Sequence, residues 1–134
     1  MDVEVGTPIP EWRLDHVEPW RMKVFAAIAR DPNPIHWDRG EVAARGLGDR
    51  LINQGPTNLG YVCNMLVAWA GPASLRDLRV RFTANVFDGD AVVAGGVVTA
   101  VREEAGERLA ECEVWLDRAD GTRTVAGTAI VAVP

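Results

Sequence analysis

Gly55-Pro56-Thr57-Asn58-Leu59-Gly60-Tyr61-Val62-Cys63-Asn64-Met65-Leu66-Val67-Ala68-Trp69-Ala70-Gly71-Pro72 is the stretch that sets the architecture. From Leu59 the apolar positions Leu59, Val62, Cys63, Leu66, Val67 and Ala70 follow the i, i+3, i+4, i+7 spacing of a helix face. Tyr61, Met65, Ala68 and Trp69 make the opposite side apolar too, with Asn58 and Asn64 the polar residues of the middle. A helix apolar nearly all round is buried on most of its surface, so something in this chain of 134 residues must wrap around it. Gly55-Pro56 opens the helix, where a missing N–H costs nothing, and Gly71-Pro72 ends it.

The wrapping material follows directly. Leu78, Val80, Phe82, Ala84 and Val86 alternate with Arg79, Arg81, Thr83 and Asn85, the pattern of a half-buried strand. Asp88-Gly89-Asp90 has turn chemistry. Ala91 to Val101 is apolar on both faces, and Gly95-Gly96 predicts a bulge or a close approach of another backbone. A turn around Gly106 comes next. Ala110, Cys112, Val114 and Leu116 then alternate with Glu111, Glu113, Trp115 and Asp117, Asp120-Gly121 is a hairpin signal, and Thr122 to Val133 is the last strand.

Upstream of the helix, Thr7 to Pro10 is turn-like and Trp12 to Val17 alternates as a short first strand. Pro19 suits a first helical turn, after which Trp20, Val24, Ala27 and Ile28 recur at helical spacing. Arg39 to Arg45 forms another short helical turn, broken by Gly46 and Gly48. The order of elements, with antiparallel strands curling around one long central helix, predicts an α+β chain with a single domain over residues 1–134.

Between these elements lies Asp31-Pro32-Asn33-Pro34-Ile35-His36-Trp37-Asp38. A residue before proline is pushed out of the helical region, and each proline fixes its own φ. Asp31 and Asn33 both precede prolines, so the first helix stops here and the chain crosses as a stiff loop. Stiffness fixes the spacing of a carboxylate, an amide and an imidazole, which acid–base chemistry needs within hydrogen-bond reach of the reacting atoms. The rival reading is a polar loop in which Asp31 ends the helix and His36 merely packs.

The pattern D-x-N-P-x-H-x-D, standing here as Asp31, Asn33, Pro34, His36 and Asp38, resembles the signature of the MaoC-like (R)-specific enoyl-CoA hydratases. That resemblance implies the hotdog fold, in which a sheet wraps a central helix. It implies hydration of a trans-2-enoyl-CoA, with Asp31 and His36 jointly holding the water that adds across the double bond. It also implies an acyl-CoA substrate, no cofactor, no metal, and substrate contacts from Asn33, Pro34, Asp38 and Cys63. Family members present a glycine amide at the N-terminus of the central helix to the thioester oxygen, and Gly55 is the matching position. Helix N-termini carry unpaired N–H groups and the positive end of the macrodipole, so the role is physically apt. A plain helix start punctuated by Gly-Pro is the alternative.

The chain departs from the common family pattern at Gln54 (often His), Arg39 (often Pro) and Cys63 (often a small hydroxyl residue). Asp38-Arg39 with Trp69-Ala70-Gly71-Pro72 is more similar to an actinobacterial branch that hydrates bulky sterol side-chain enoyl-CoAs, some of whose members work as paired, unlike subunits. A hotdog thioesterase is the alternative enzyme. Many such enzymes take a carboxylate from the central helix, and Thr57 to Trp69 contains neither Asp nor Glu. A non-catalytic partner subunit is expected to lose Asp31 or His36, and both are kept.

Composition frames the rest. With 48% hydrophobic and 25% charged residues the chain is ordinary globular protein, and a formal charge of −5 argues against a nucleic-acid partner. Cys63 and Cys112 fall on apolar patterns and are expected to be buried, reduced hydrophobes. Met1 to Pro10 has acidic residues and no apolar run, and no stretch reaches the length of a membrane span, so a cytoplasmic protein is expected. His16 is read as structural or surface. Arg76, Arg79, Arg81 and Arg102 are candidates for CoA phosphates by charge alone. Exposed sheet edges predict a homodimer or a dimer of two related hotdog chains, with Ala91 to Val101 as part of the seam and the acyl tunnel at the interface.

Overall fold

A computed structural model describes residues 2–134. The elements are β1 (Pro8–Leu14), α1 (Pro19–Ala29), α2 (Arg39–Ala44), α3 (Gly55–Ala70), β2 (Leu75–Phe82), β3 (Val92–Glu104), β4 (Glu107–Arg118) and β5 (Arg123–Ala132). All strand pairings are antiparallel, and the sheet runs β1-β3-β4-β5-β2. Its concave face closes on α3. Val62, Met65 and Leu66 of the helix share one buried cluster with Val98, Ala110, Cys112, Val114, Leu116 and Val125 of the sheet. Enclosing side chains such as Met65 and Leu66 completely contributes about 1.5–3 kcal/mol each. The predicted helix inside a curled sheet is therefore what the chain builds.

The long strands follow their alternation. Ala110, Cys112, Val114 and Leu116 are all buried on β4, facing α3. Burial pushes the Cys112 thiol up to about 11, so it behaves as a small hydrophobe. The β3–β4 connection is a two-residue hairpin with Ala105 and Gly106 both at positive φ (52° and 81°). Gly95 and Gly96 mark close approaches. A Cβ on Gly95 would lie 2.6 Å from the Trp115 indole nitrogen, and one on Gly96 2.8 Å from the Glu113 carbonyl oxygen. The register shift on this strand falls farther along, between Val98 and Ala100.

Four expectations are corrected. The first strand lies upstream of the predicted Trp12–Val17, because the residues that find a partner on β3 run from Pro8 to Leu14, with a bulge between Ile9 and Trp12. Two prolines are tolerated there because β1 is an edge strand. On α1 the buried residues are Met22 and Ala26. Trp20, Val24 and Ile28 instead face outward at 57%, 48% and 77% exposure. The central helix is not covered on most of its surface, since Pro56, Asn64, Val67 and Ala68 remain exposed and Cys63 is only half-buried. Finally, Ala91 to Val101 cannot be an edge seam, because β3 is bonded on both sides, to β1 and β4. The free edges belong to β1 and β2. Among the described residues no helix is long and apolar enough to cross a membrane.

Candidate active site

The proline-rich turn lies directly after α1. Arg30 adopts the left-handed conformation (φ 51°, ψ 40°), and the Asp31 amide donates back to the Ala26 carbonyl at 2.9 Å, so the chain reverses sharply at the helix end. Holding a non-glycine residue there costs about 1–2 kcal/mol. Asp31 Oδ1 accepts the Asn33 amide at 3.0 Å, which fixes its carboxylate and leaves Oδ2 facing His36 Nε2 at 3.2 Å. Asn33 caps a single 3₁₀ turn, Pro34–His36, with Pro34 at its first position. The Asn33 Oδ1 accepts the Ile35 amide and, at 3.1 Å, the Arg45 guanidinium.

His36 is buried, and its Nδ1 lies 2.6 Å from the Ile52 carbonyl oxygen. A carbonyl can only accept, so Nδ1 carries a proton and Nε2 is the nitrogen that exchanges one with Asp31 or with a bound water. Ile52 answers with its own N–H, donated to Ile35 O at 3.0 Å. Two antiparallel bonds thus strap the turn to the segment that enters α3. That segment is held in turn by the loop before β3. The Asn53 amide donates to Val86 O at 2.7 Å, Ile52 bridges Phe87, and the Leu51 amide donates to Asp88 Oδ2 at 2.7 Å. Arg39 reaches the same carboxylate at 3.1 Å.

Gly55 is the first residue of α3, and among the described residues its N–H has no acceptor. The Phe82 ring lies over it, 3.2 Å from where a Cβ would stand, so a side chain here would push that ring by a few tenths of an ångström. Gln54 precedes it, buried, with Nε2 donating to Met22 O at 2.8 Å. The turn that carries Asp31 and His36 is therefore bonded to Ile52, which stands three residues before Gly55 at the N-terminus of α3. Asp38 caps α2 by accepting the Glu41 amide at 3.2 Å, and Cys63 lies half-buried on α3 with its thiol pushed up by burial. His16 is on the surface, its side chain 55% exposed.

Two features escaped the sequence. Asp88, read as plain turn chemistry, is a buried anchor for Leu51 and Arg39. Asn53, Asn58 and Tyr61 form a polar triad beside the strap, with Asn53 Nδ2 donating to Asn58 Oδ1 (2.8 Å) and Tyr61 Oη (3.2 Å). The available signal was Asn58 and Tyr61 at i, i+3 on an otherwise apolar helix.

The comparisons with known proteins concern the family and the fold. The (R)-hydratase from A. caviae involved in PHA biosynthesis is 28% identical, with 98% of each chain covered and a TM-score of 0.86. A chain of the ChsH1-ChsH2 complex from Mycobacterium tuberculosis is 26% identical, again with 98% of each covered and a TM-score of 0.82. A chain of the HadBC (3R-hydroxyacyl-ACP dehydratase) complex from the same organism shares the fold at 19% identity, covering 98% of each chain with a TM-score of 0.69. No curated protein matches the chain. The family model of the MaoC like domain matches residues 3–116, which span α3 and the turn with Asp31 and His36. The chain belongs to the MaoC-like family, with its hotdog fold.

Proposed function

We propose that this protein hydrates trans-2-enoyl-CoA thioesters to (R)-3-hydroxyacyl-CoA, and catalyses the reverse dehydration. The supporting observation is the Asp31–His36 pair at 3.2 Å, its imidazole oriented from behind by the Ile52 carbonyl. Asp31 takes a proton from the water whose oxygen bonds to the β-carbon. The π electrons move toward the thioester oxygen, whose growing negative charge meets the Gly55 N–H and the positive end of α3. His36 Nε2 gives the proton that completes the α-carbon. One proton has then arrived on Asp31 and one has left His36, and transfer across their contact resets the site. No cofactor or metal enters this scheme. Asn33 and Pro34 hold the turn's shape, while Asp38 and Cys63 are proposed to approach the substrate from the α2 side and the open face of α3.

Of the arginines considered for CoA phosphates, Arg76 pairs with Glu107, Arg79 with Asp77, and Arg102 with Glu104 and Glu111. Among the described residues Arg81 has no ion-pair partner, which favours it. A hotdog dimer, of like or unlike chains, is proposed through β2. Prolines blunt the β1 edge, whereas β2 presents a free ladder edge without proline. The ChsH1-ChsH2 complex supports the unlike pairing. Purified protein offered crotonyl-, longer enoyl- and steroid enoyl-CoAs, with product stereochemistry determined, tests the activity. An (S)-product, or thioester hydrolysis in place of hydration, overturns it. Light scattering tests the assembly, and a stable, active monomer at micromolar concentration refutes it.

A further inference from the structure

Asp31 and His36 share one turn but hang from different parts of the chain. Asp31 follows α1, with its amide bonded to Ala26 O of that helix at 2.9 Å. His36 is bonded through Nδ1 to Ile52 O, in the segment that enters α3. Their 3.2 Å contact therefore depends on where α1 stands relative to that segment. Packing holds α1 loosely, since Met22 and Ala26 are the buried residues among its eleven.

One side chain spans the gap. Gln54, two residues after Ile52, donates Nε2 to the Met22 carbonyl at 2.8 Å. Among the described residues no other hydrogen bond ties α1 to a part of the chain distant in sequence. The bond closes a ring that runs from Met22 along α1 to Asp31, across the turn to His36, and through Ile52 and Gln54 back to Met22. Nothing local explains this glutamine. It stands at the N-cap of α3 yet makes no side-chain cap, and glutamine is not among the residues that favour that position. It is almost wholly buried, at 1% exposure, and its Oε1 has no donor. A carbonyl only accepts, so the amide cannot turn over to satisfy that oxygen without losing Met22. An acceptor buried without a partner costs at least as much as one ordinary hydrogen bond contributes. The fold gains little from Gln54.

We infer that Gln54 is a positioning residue: it sets α1 against the entrance to α3, and so holds Asp31 on His36 and the pair in register with Gly55. The inference rests on the proposed hydratase reading for its effect on rate, so one of its two readouts does without turnover. Gln54→Met keeps the length of the side chain and removes the bond together with the unpaired oxygen. It should melt near the wild type and lower kcat about tenfold or more with KM little changed, because only the reacting groups are misplaced. Gln54→Asn, whose amide falls one methylene short of Met22, should show the same loss of rate. The second readout is the nitrogen NMR spectrum of the isotope-labelled full chain. The chain has two histidines, and the exposed His16 serves as the reference. The Nε2 signal of His36, which faces Asp31, should move in both variants while that of His16 stays. Leu116→Ala, destabilised in the core, should leave the His36 signal in place. An unmoved His36 signal in both Gln54 variants, or wild-type kcat in both, would overturn the inference. An equal loss of kcat or an equal displacement of the signal in Leu116→Ala would overturn it too, since the cause would then be stability. A moved signal in a chain that hydrates no enoyl-CoA would sink the hydratase reading and leave the brace standing.

Discussion

Between β1 and α3 the chain keeps few side chains inside, and α2 contributes only Val42 to the interior. The sheet half differs. From Val92 to Ala132 nearly every residue has a ladder partner, and alternate side chains pack against Val62, Met65 and Leu66. The frame is held by apolar burial, which is non-directional and tolerant. The proposed functional segment is held by short, directional bonds to Ile52, whose neighbours Asn53 and Leu51 are bonded in turn to Val86 and Asp88. Apolar packing supplies stability without specifying where a proton donor points. Hydrogen bonds with a buried imidazole and carboxylates do specify it, at small net gain in stability. The two regions should therefore respond differently to substitution.

The sharpest contrast is in rate. Asp31→Asn and His36→Ala should each lower hydration about 10²–10⁴-fold, as loss of a general acid or base does, with a thermal melt near the wild type for Asp31→Asn and a lower one for His36→Ala, which leaves the Ile52 carbonyl without its partner. Near-native turnover by both purified variants would remove the pair from the chemistry. Next comes the frame. Leu116→Ala, at a fully buried β4 position, should cost about 2–5 kcal/mol in denaturant unfolding, with kcat of the folded fraction nearly unchanged. A large loss of kcat would mean that frame and site are not separable.

Asp88→Ala should fall between these, because Asp88 belongs to the frame side yet holds the strap. A loss of about 1–3 kcal/mol is expected from the buried Leu51 amide left unpaired, together with a fall in turnover. Stability loss with unchanged turnover would show that the strap needs no help from this loop. Gly55→Ala should lower the rate severalfold by forcing the Phe82 ring aside, and the double variant with Phe82→Ala should regain part of it. If the second change brings no recovery, the cost lies at the thioester and not in the ring.

The smallest effect belongs to the β4–β5 hairpin. Asp120 is held down to about 2, from an ordinary 3.8, first by the Thr122 amide and then by the Arg118 and Thr122 side chains. A depressed carboxylate adds stability above pH 3.8, and that contribution fades as pH falls through about 2. Asp120→Asn should flatten this acid-range part of the melting profile. Because the group is fully exposed the change is slight, and identical profiles would assign it no role.

Period-2 alternation made β4 legible, because it faces the core on one side, and the Asp120-Gly121 hairpin signal made β5 legible after it. The limits of α3 were legible from Gly-Pro at both ends, and the turn with Asp31 and His36 from its two prolines. What escaped was decided by distant partners. Prolines at 8 and 10 suggest a turn, and only the edge position opposite β3 makes them a strand. Trp20, Val24 and Ile28 have the spacing of a core face, yet Met22 and Ala26 turn inward, on the side where Gln54 Nε2 donates to the Met22 carbonyl. The burial of Asp88 depends on Leu51, far away in sequence. The proposed roles of Asn33, Asp38, Gly55 and Cys63 came from the family resemblance, and single-residue chemistry would not have chosen them.

The paired bonds between Ile35–His36 and Ile52 turn residues 37–51 into a loop whose two ends are already pinned together. Closing a longer loop between fixed ends adds only slowly to the entropic cost, about 0.6 kcal/mol for each doubling. Changing the length of the exposed Gly46-Leu47-Gly48 tip should therefore cost little, provided that Arg45 keeps its bond to Asn33. In engineering terms it is a cassette position. A tag, a binding peptide or a tether to a second enzyme inserted there should leave the Asp31–His36 contact in place.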